Sequence, residues 1–116
     1  MRAIELVGHI VEYSNQINSL VTNLRLQPLL FYINEKSLYK NGKVAFEDEY
    51  VTWEFGKVLD EVYYEFSMWA SLPLINVKKS PEVPEETVKI IQEVVKELAP
   101  IPTWKLIDKM RKDCNV

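Results

Sequence analysis

Between Val51 and Trp69 the apolar residues change period, and that change limits what the chain can build. Val51, Trp53 and Phe55 alternate with Thr52 and Glu54, the two-residue period of a strand. Past Gly56, the residues Leu59, Val62, Tyr63, Phe66 and Trp69 fall three and four apart, the period of one helix face. Elsewhere the apolar period is helical. Leu6, Val7, Ile10, Val11 and Tyr13 predict a helix over residues 3–16. Leu26, Leu29, Leu30, Ile33 and Leu38 predict a second over residues 24–39, capped by the oxygen of Thr22 or Asn23 and closed by a left-handed Gly42. Val88, Ile91, Val95 and Leu98 predict a helix over residues 85–98, with Glu85 and Glu86 suited to its positive end. A last helix spans about 104–112, with Thr103 as its cap. The expected fold is mainly α: a single domain over residues 1–116, with five helices and a short β-hairpin near residues 44–55. In that hairpin Val44 to Phe46 pairs with the alternating segment across Glu47-Asp48-Glu49.

The inventory of side chains restricts the chemistry. With 116 residues, 47% of them apolar, the chain can bury a core without a metal or a disulfide. Cys114, the one cysteine, has no internal partner to oxidise with. The first residues carry Glu5, His9 and Glu12 inside the apolar pattern, against a secretory leader, and no apolar run approaches the ~20 residues of a membrane span. A cytoplasmic protein is expected. The net charge is −3, and Asp108 and Asp113 interrupt the densest basic stretch, "KLIDKMRKD", so a nucleic-acid surface is not expected. His9 is the sole histidine and reads as structural; with one distant cysteine it makes no zinc site. Gly8, Gly42 and Gly56 are isolated and form no phosphate loop. Glu47-Asp48-Glu49 reads as a solvated hairpin tip. Glu54, Asp60, Glu61 and Glu65 offer acid–base pairs no better than any acidic chain does, and they support only a weak alternative, a small carboxylate-dependent hydrolase. No catalytic residue, cofactor site or metal ligand is assigned. Trp53, Phe55, Tyr63, Phe66 and Trp69 read as core. Tyr39, Tyr50 and Tyr64 lie off the apolar stripes, and with Lys57 they are the expected partner-contact residues, because tyrosine offers large contact area at low entropic cost.

The segment "VTNLRLQPLLFYINEKSLYKNGKVAFEDEYVTWEFGKVLDEVYYEF" resembles the Panacea domain, the family of GepA-like phage-associated proteins and SocA-like antitoxins. The matching residues are Thr22, Asn23, Leu24, Leu26, Gln27, Leu29 and Leu30, then Phe46, Trp53, Gly56, Val58, Val62, Tyr63 and Phe66. "HIVEYSNQ" looks like the family's first helix and "TWKLIDKMRKD" like its closing one, so the resemblance spans nearly the whole chain. It departs from the family at Pro28, where lysine is usual, at Lys57 in place of a proline after Gly56, and near Leu59-Asp60, where a proline is usual. Pro28 in a helix interior costs about 3 kcal/mol unless the helix kinks or begins there. The resemblance implies an antitoxin of a bacterial or phage toxin–antitoxin system. Such a protein neutralises a cognate protein toxin, often one that blocks translation, by direct protein–protein contact. Delivery of the toxin to a protease is the alternative within the same family. On this reading the Trp53–Gly56–Tyr63 junction is a folding signature.

Overall fold

The structure, a computed structural model, describes residues 1–54 and 56–114. A 3-10 turn over Ala3–Leu6 runs directly into α1 (Val7–Gln16), so the first expected helix is present with a tighter opening turn. The free N–H groups of that opening are taken up by carboxylates: Arg2 N donates to Glu5 Oε1 (3.2 Å) and Ala3 N to Asp48 Oδ1 (2.9 Å). The central helix is α2 (Asn23–Asn41). Thr22 caps it as expected, its Oγ1 accepting from Arg25 N at 3.3 Å, and Gly42 closes it at φ 73°, ψ 9°. Pro28 neither starts the helix nor lies in its first turn. It is buried inside a continuous α2. The carbonyl that Pro28 leaves without a donor belongs to Leu24, a residue 48% exposed, where water can satisfy it.

The hairpin is present, but in a different register. β1 (Val51–Trp53) pairs antiparallel with β2 (Gly56–Val58), as Val51↔Val58, Thr52↔Lys57 and Trp53↔Gly56. Residues 44–46 do not join it, because Asn34 of α2 has claimed their backbone. Its Oδ1 accepts from Ala45 N (2.6 Å) and Phe46 N (3.0 Å), and its Nδ2 donates to Phe46 O (3.0 Å). Phe55, expected to continue the strand into the core, lies outside the described residues.

The expected 59–69 helix is cut short. α3 (Asp60–Glu65) ends where Ser67 Oγ donates to Tyr64 O (2.9 Å), a local bond that competes with helix continuation. A 3-10 turn over Ser67–Trp69 follows, and Ala70 turns the chain at φ 51°. α4 (Glu85–Leu98) matches its expected span. Its buried stripe is Thr87, Ile90, Ile91, Val94 and Val95, broader than expected and shifted, because α4 packs against both α1 and α2. α5 (Thr103–Cys114) lies along α2. Thr103 is its first residue and not its cap; Pro102 O instead accepts from Lys105 N and Leu106 N, both at 3.0 Å.

The core is Leu6, Val7, Ile10 and Val11 from α1, Leu26, Leu29, Leu30 and Ile33 from α2, and Ile90, Ile91, Val94 and Val95 from α4. Phe46, Leu59, Val62 and Leu74 close it. Leu38, expected inside, is 51% exposed. More than half of the residues are helical, and the hairpin is the sole described sheet.

Polar side chains hold the irregular segments onto this core. Asn23, Gln27 and Asn34 lie on one stripe of α2, about three turns long. Asn23 Nδ2 donates to Tyr63 O (2.9 Å). Gln27 accepts from Leu59 N (2.8 Å) and donates to Leu59 O (3.2 Å). Three amides thus clamp the chain from Ala45 to Tyr63, where regular structure supplies few partners. Buried Arg25 does the same for the α4–α5 turn, donating to Leu98 O (2.8 Å), Ile101 O (2.8 Å) and Thr103 Oγ1 (3.1 Å). A cation there also complements the negative end of α4. On α1, Gly8 lets residues 78–79 cross at close range: a Cβ there would lie 2.3 Å from Lys78 O. His9 Nε2 donates to Ser80 O (2.9 Å) at the same crossing, the structural role expected of it.

Candidate functional site

The hairpin, α3, the start of α2 and α5 meet at an aromatic face. The rings of Trp53 and Tyr63 pack edge to face with centroids 5.2 Å apart; Tyr64 lies 5.9 Å from Trp53 and 6.0 Å from Tyr63. Edge-on packing suits the ring quadrupoles and fixes the three rings as one unit. Trp53 is half-buried and is not the core residue the alternating pattern suggests. Opposite it across the hairpin stands Gly56, which has no side chain to cover the indole. In a two-stranded sheet no further strand covers it either. Gly56 sits at φ 136°, a conformation that favours glycine, so the bare position is built into the turn.

Two clefts open beside this unit. The more apolar one, about 90 Å³, is lined by Leu24, Trp53, Tyr63, Ile107 and Met110, with Lys57 and Arg111 at its edge. The other, about 260 Å³, is lined by Thr52, Glu54 and Cys114 and shares Trp53, Lys57 and Arg111. Arg111 belongs to both. Its stem lies over Gly56, with Cγ 3.6 Å from where a Cβ would stand. Trp104 and Ile107 precede Arg111 on the same face of α5, and Trp104 is 68% exposed.

The four expected contact residues divide. Tyr64, 63% exposed, and Lys57 both sit on this face. Tyr39 is 87% exposed but lies fifteen residues beyond Leu24 on α2, about 22 Å away along the helix axis. Tyr50 does not belong to the exposed surface. It packs against the core with its hydroxyl buried, and burial pushes its phenol pKa upward. The sequence reading missed Leu24, Trp104, Ile107 and Arg111. Leu24 and Trp104 each lie off the apolar stripe of their own helix, and that was the signal to be found.

Three of the acidic groups singled out in the sequence have structural partners. Asp48 caps the first turn, Glu61 pairs with Arg2, and Asp60 accepts from Glu61 N (2.9 Å). The Glu93 carboxyl is held below the usual range, chiefly by its hydrogen bond from Lys40. That of Asp113 is lowered by Tyr32 and then Lys109. Both shifts favour the ionised form, the opposite of what a general acid needs. Among the described residues no group of His, Cys, Asp and Glu is placed to hold a metal ion, and no helix is long and apolar enough to cross a membrane. Cys114 is held in the last turn of α5, its thiol pKa raised by burial.

No curated protein and no solved structure matches the chain. The family described as "Antitoxin SocA-like, Panacea domain" matches residues 26–115, more than three quarters of the sequence. The match holds Gln27, Asn34, the hairpin, α3 and α5, and leaves out α1 and the Thr22 cap. All but Asn23, Leu24 and Arg25 of the clamped α2–hairpin–α3 unit and its aromatic face therefore lies within a SocA-like antitoxin domain of the Panacea family, and to that family of antitoxins the chain belongs.

Proposed function

We propose that the protein is the antitoxin of a toxin–antitoxin pair and acts in the cytoplasm by binding its cognate protein toxin directly, through the face around Trp53, Tyr63 and Tyr64. The observation that carries the contact surface is the exposure of so much rigid aromatic and apolar surface on one side: Leu24, Tyr64 and Trp104 around a half-buried Trp53. Aromatic and arginine side chains of this kind dominate binding energy at protein interfaces. A standard interface needs roughly 800 Å² per partner, which a domain of this size can offer. The toxin is expected to be one that blocks translation, as the family resemblance implies. Stoichiometric occlusion requires no turnover.

The test is co-expression with the protein encoded by the adjacent gene. Growth arrest by that neighbour should be relieved by this chain, and relieved less by Trp53→Ala or Tyr64→Ala at equal antitoxin abundance. In vitro, inhibition should saturate near one antitoxin per toxin. Full protection far below that ratio, growing with time, would mean turnover and end the binding reading. A shortened toxin half-life in cells would instead identify a proteolytic adaptor.

A further inference from the structure

The cleft between β2 and α5 combines an apolar lining with two cations and, among the described residues, no carboxylate. The chain is net negative, and many of its bases are neutralised where they stand: Arg2 by Glu61, Lys36 and Lys40 by Glu93, Lys43 by Glu86, Lys79 by Glu12. Within α5 the two aspartates are both engaged elsewhere, Asp108 with Lys112 (3.2 Å) and Asp113 with Lys109 (2.9 Å). This arrangement leaves Arg111 with no carboxylate within ion-pair distance among the described residues. Lys57, facing it across the cleft, is in the same state. Glu54 lines only the larger, neighbouring cleft. Two exposed cations without partners thus flank an apolar slot made by Leu24, Trp53, Tyr63 and Ile107.

We propose that this cleft docks an acidic segment of the protein partner, with one apolar side chain seated in the slot and neighbouring carboxylates held by Arg111 and Lys57. The inference rests on the antitoxin reading for the identity of the partner, and adds the chemistry of the segment that is recognised. Arg111 suits the task because a guanidinium offers a carboxylate two parallel donors, and its stem is already laid over Gly56, so less freedom is lost on binding. The apolar slot supplies affinity, and the cations supply orientation and faster encounter.

The probe is a fluorescein-labelled peptide, Gly-Glu-Glu-Leu-Phe-Glu-Glu-Gly, compared by anisotropy with the same peptide carrying Gln for Glu. Against the full-length protein at low salt, the acidic peptide should bind at least about tenfold tighter than its neutral counterpart. The preference should disappear in Lys57→Glu/Arg111→Glu and be retained in Lys89→Glu/Lys96→Glu, which makes the same change in net charge on α4. All four positions are exposed, so thermal melts should show the variants folded. Absence of preference for the acidic peptide, or its equal loss in the α4 control, overturns the proposal. Co-expression separates the two readings. Relief of toxicity by the wild type that survives Lys57→Glu/Arg111→Glu overturns the acidic-segment proposal and leaves the antitoxin reading standing. Failure of the wild type to relieve toxicity refutes that reading, while the peptide comparison still judges the cleft.

Discussion

Replacing Gln27 by leucine should destabilise the protein more than its hydrophobic gain would suggest. Gln27 is 4% exposed and Leu59 is 2% exposed. The Gln27 amide serves both the N–H (2.8 Å) and the carbonyl (3.2 Å) of Leu59. Leucine is close to glutamine in size, so the packing term is small and the lost bonds dominate. Leu59 O keeps a second donor, Tyr63 N (3.1 Å), so the orphaned Leu59 N–H costs about 1–3 kcal/mol and the lost bond to Leu59 O about 0.5–1.5 kcal/mol, together about 1.5–4.5 kcal/mol. That is a large share of the ~5–15 kcal/mol that holds a domain of this kind together. In urea melts followed by circular dichroism, with a slope of about 1.5 kcal/mol/M, the midpoint should fall by roughly 1–3 M. Thermal midpoints should fall by roughly 6–18 °C. Gln92→Leu, at an exposed site of α4, is the control and should change little. A loss below about 1 kcal/mol at unchanged slope would refute the reasoning, because the Leu59 N–H would then be satisfied without Gln27.

Gly8→Ala should cost about 1–3 kcal/mol or more by denaturant titration, since its Cβ would meet the Lys78 backbone at 2.3 Å and backbone cannot step aside as a side chain can. Arg25→Met should cost about 2–4 kcal/mol by the same measurement, because Ile101 O and Thr103 Oγ1 lose their donor and Leu98 O keeps only Ile101 N. Trp53→Ala should cost only ~1–2 kcal/mol, less than the ~3–5 kcal/mol of a core tryptophan, while strongly weakening toxin binding; a core-sized loss of stability would return Trp53 to the interior. Asp113→Asn probes pH dependence. The Asp113 pKa is depressed in the folded state, so its contribution to stability is present above the unfolded carboxyl pKa and fades as pH falls through the lower folded value. The gap between wild-type and variant melting temperatures should therefore close on acidification. A gap independent of pH would mean that Tyr32 and Lys109 do not act on the charged carboxylate.

The sequence alone determined where helices form, because each is written in an apolar period, but not where α3 ends. It also determined the Thr22 and Gly42 ends of α2, where local chemistry suffices: a hydroxyl for a free N–H, and a glycine for a left-handed turn. The motif residues identified the family before any contact was known. The tertiary structure decided everything that depends on who reaches a backbone group first. Residues 44–46 carry strand-forming residues, yet Asn34, remote in the pairing scheme, holds them off the hairpin. Trp53 lies on the inward-facing side of its strand, yet its exposure follows from Gly56 opposite and from the lack of a third strand among the described residues. Tyr50 and Tyr64 are indistinguishable as off-stripe tyrosines; one was packed half-buried against the core and the other left exposed by what lay beside them. The unpaired state of Arg111 is likewise invisible in "KLIDKMRKD", because it follows from which lysine each aspartate meets once α5 is wound. Periodicity records which face of an element is apolar, but the use of a single hydrogen-bonding group or charge is set by its neighbours in space.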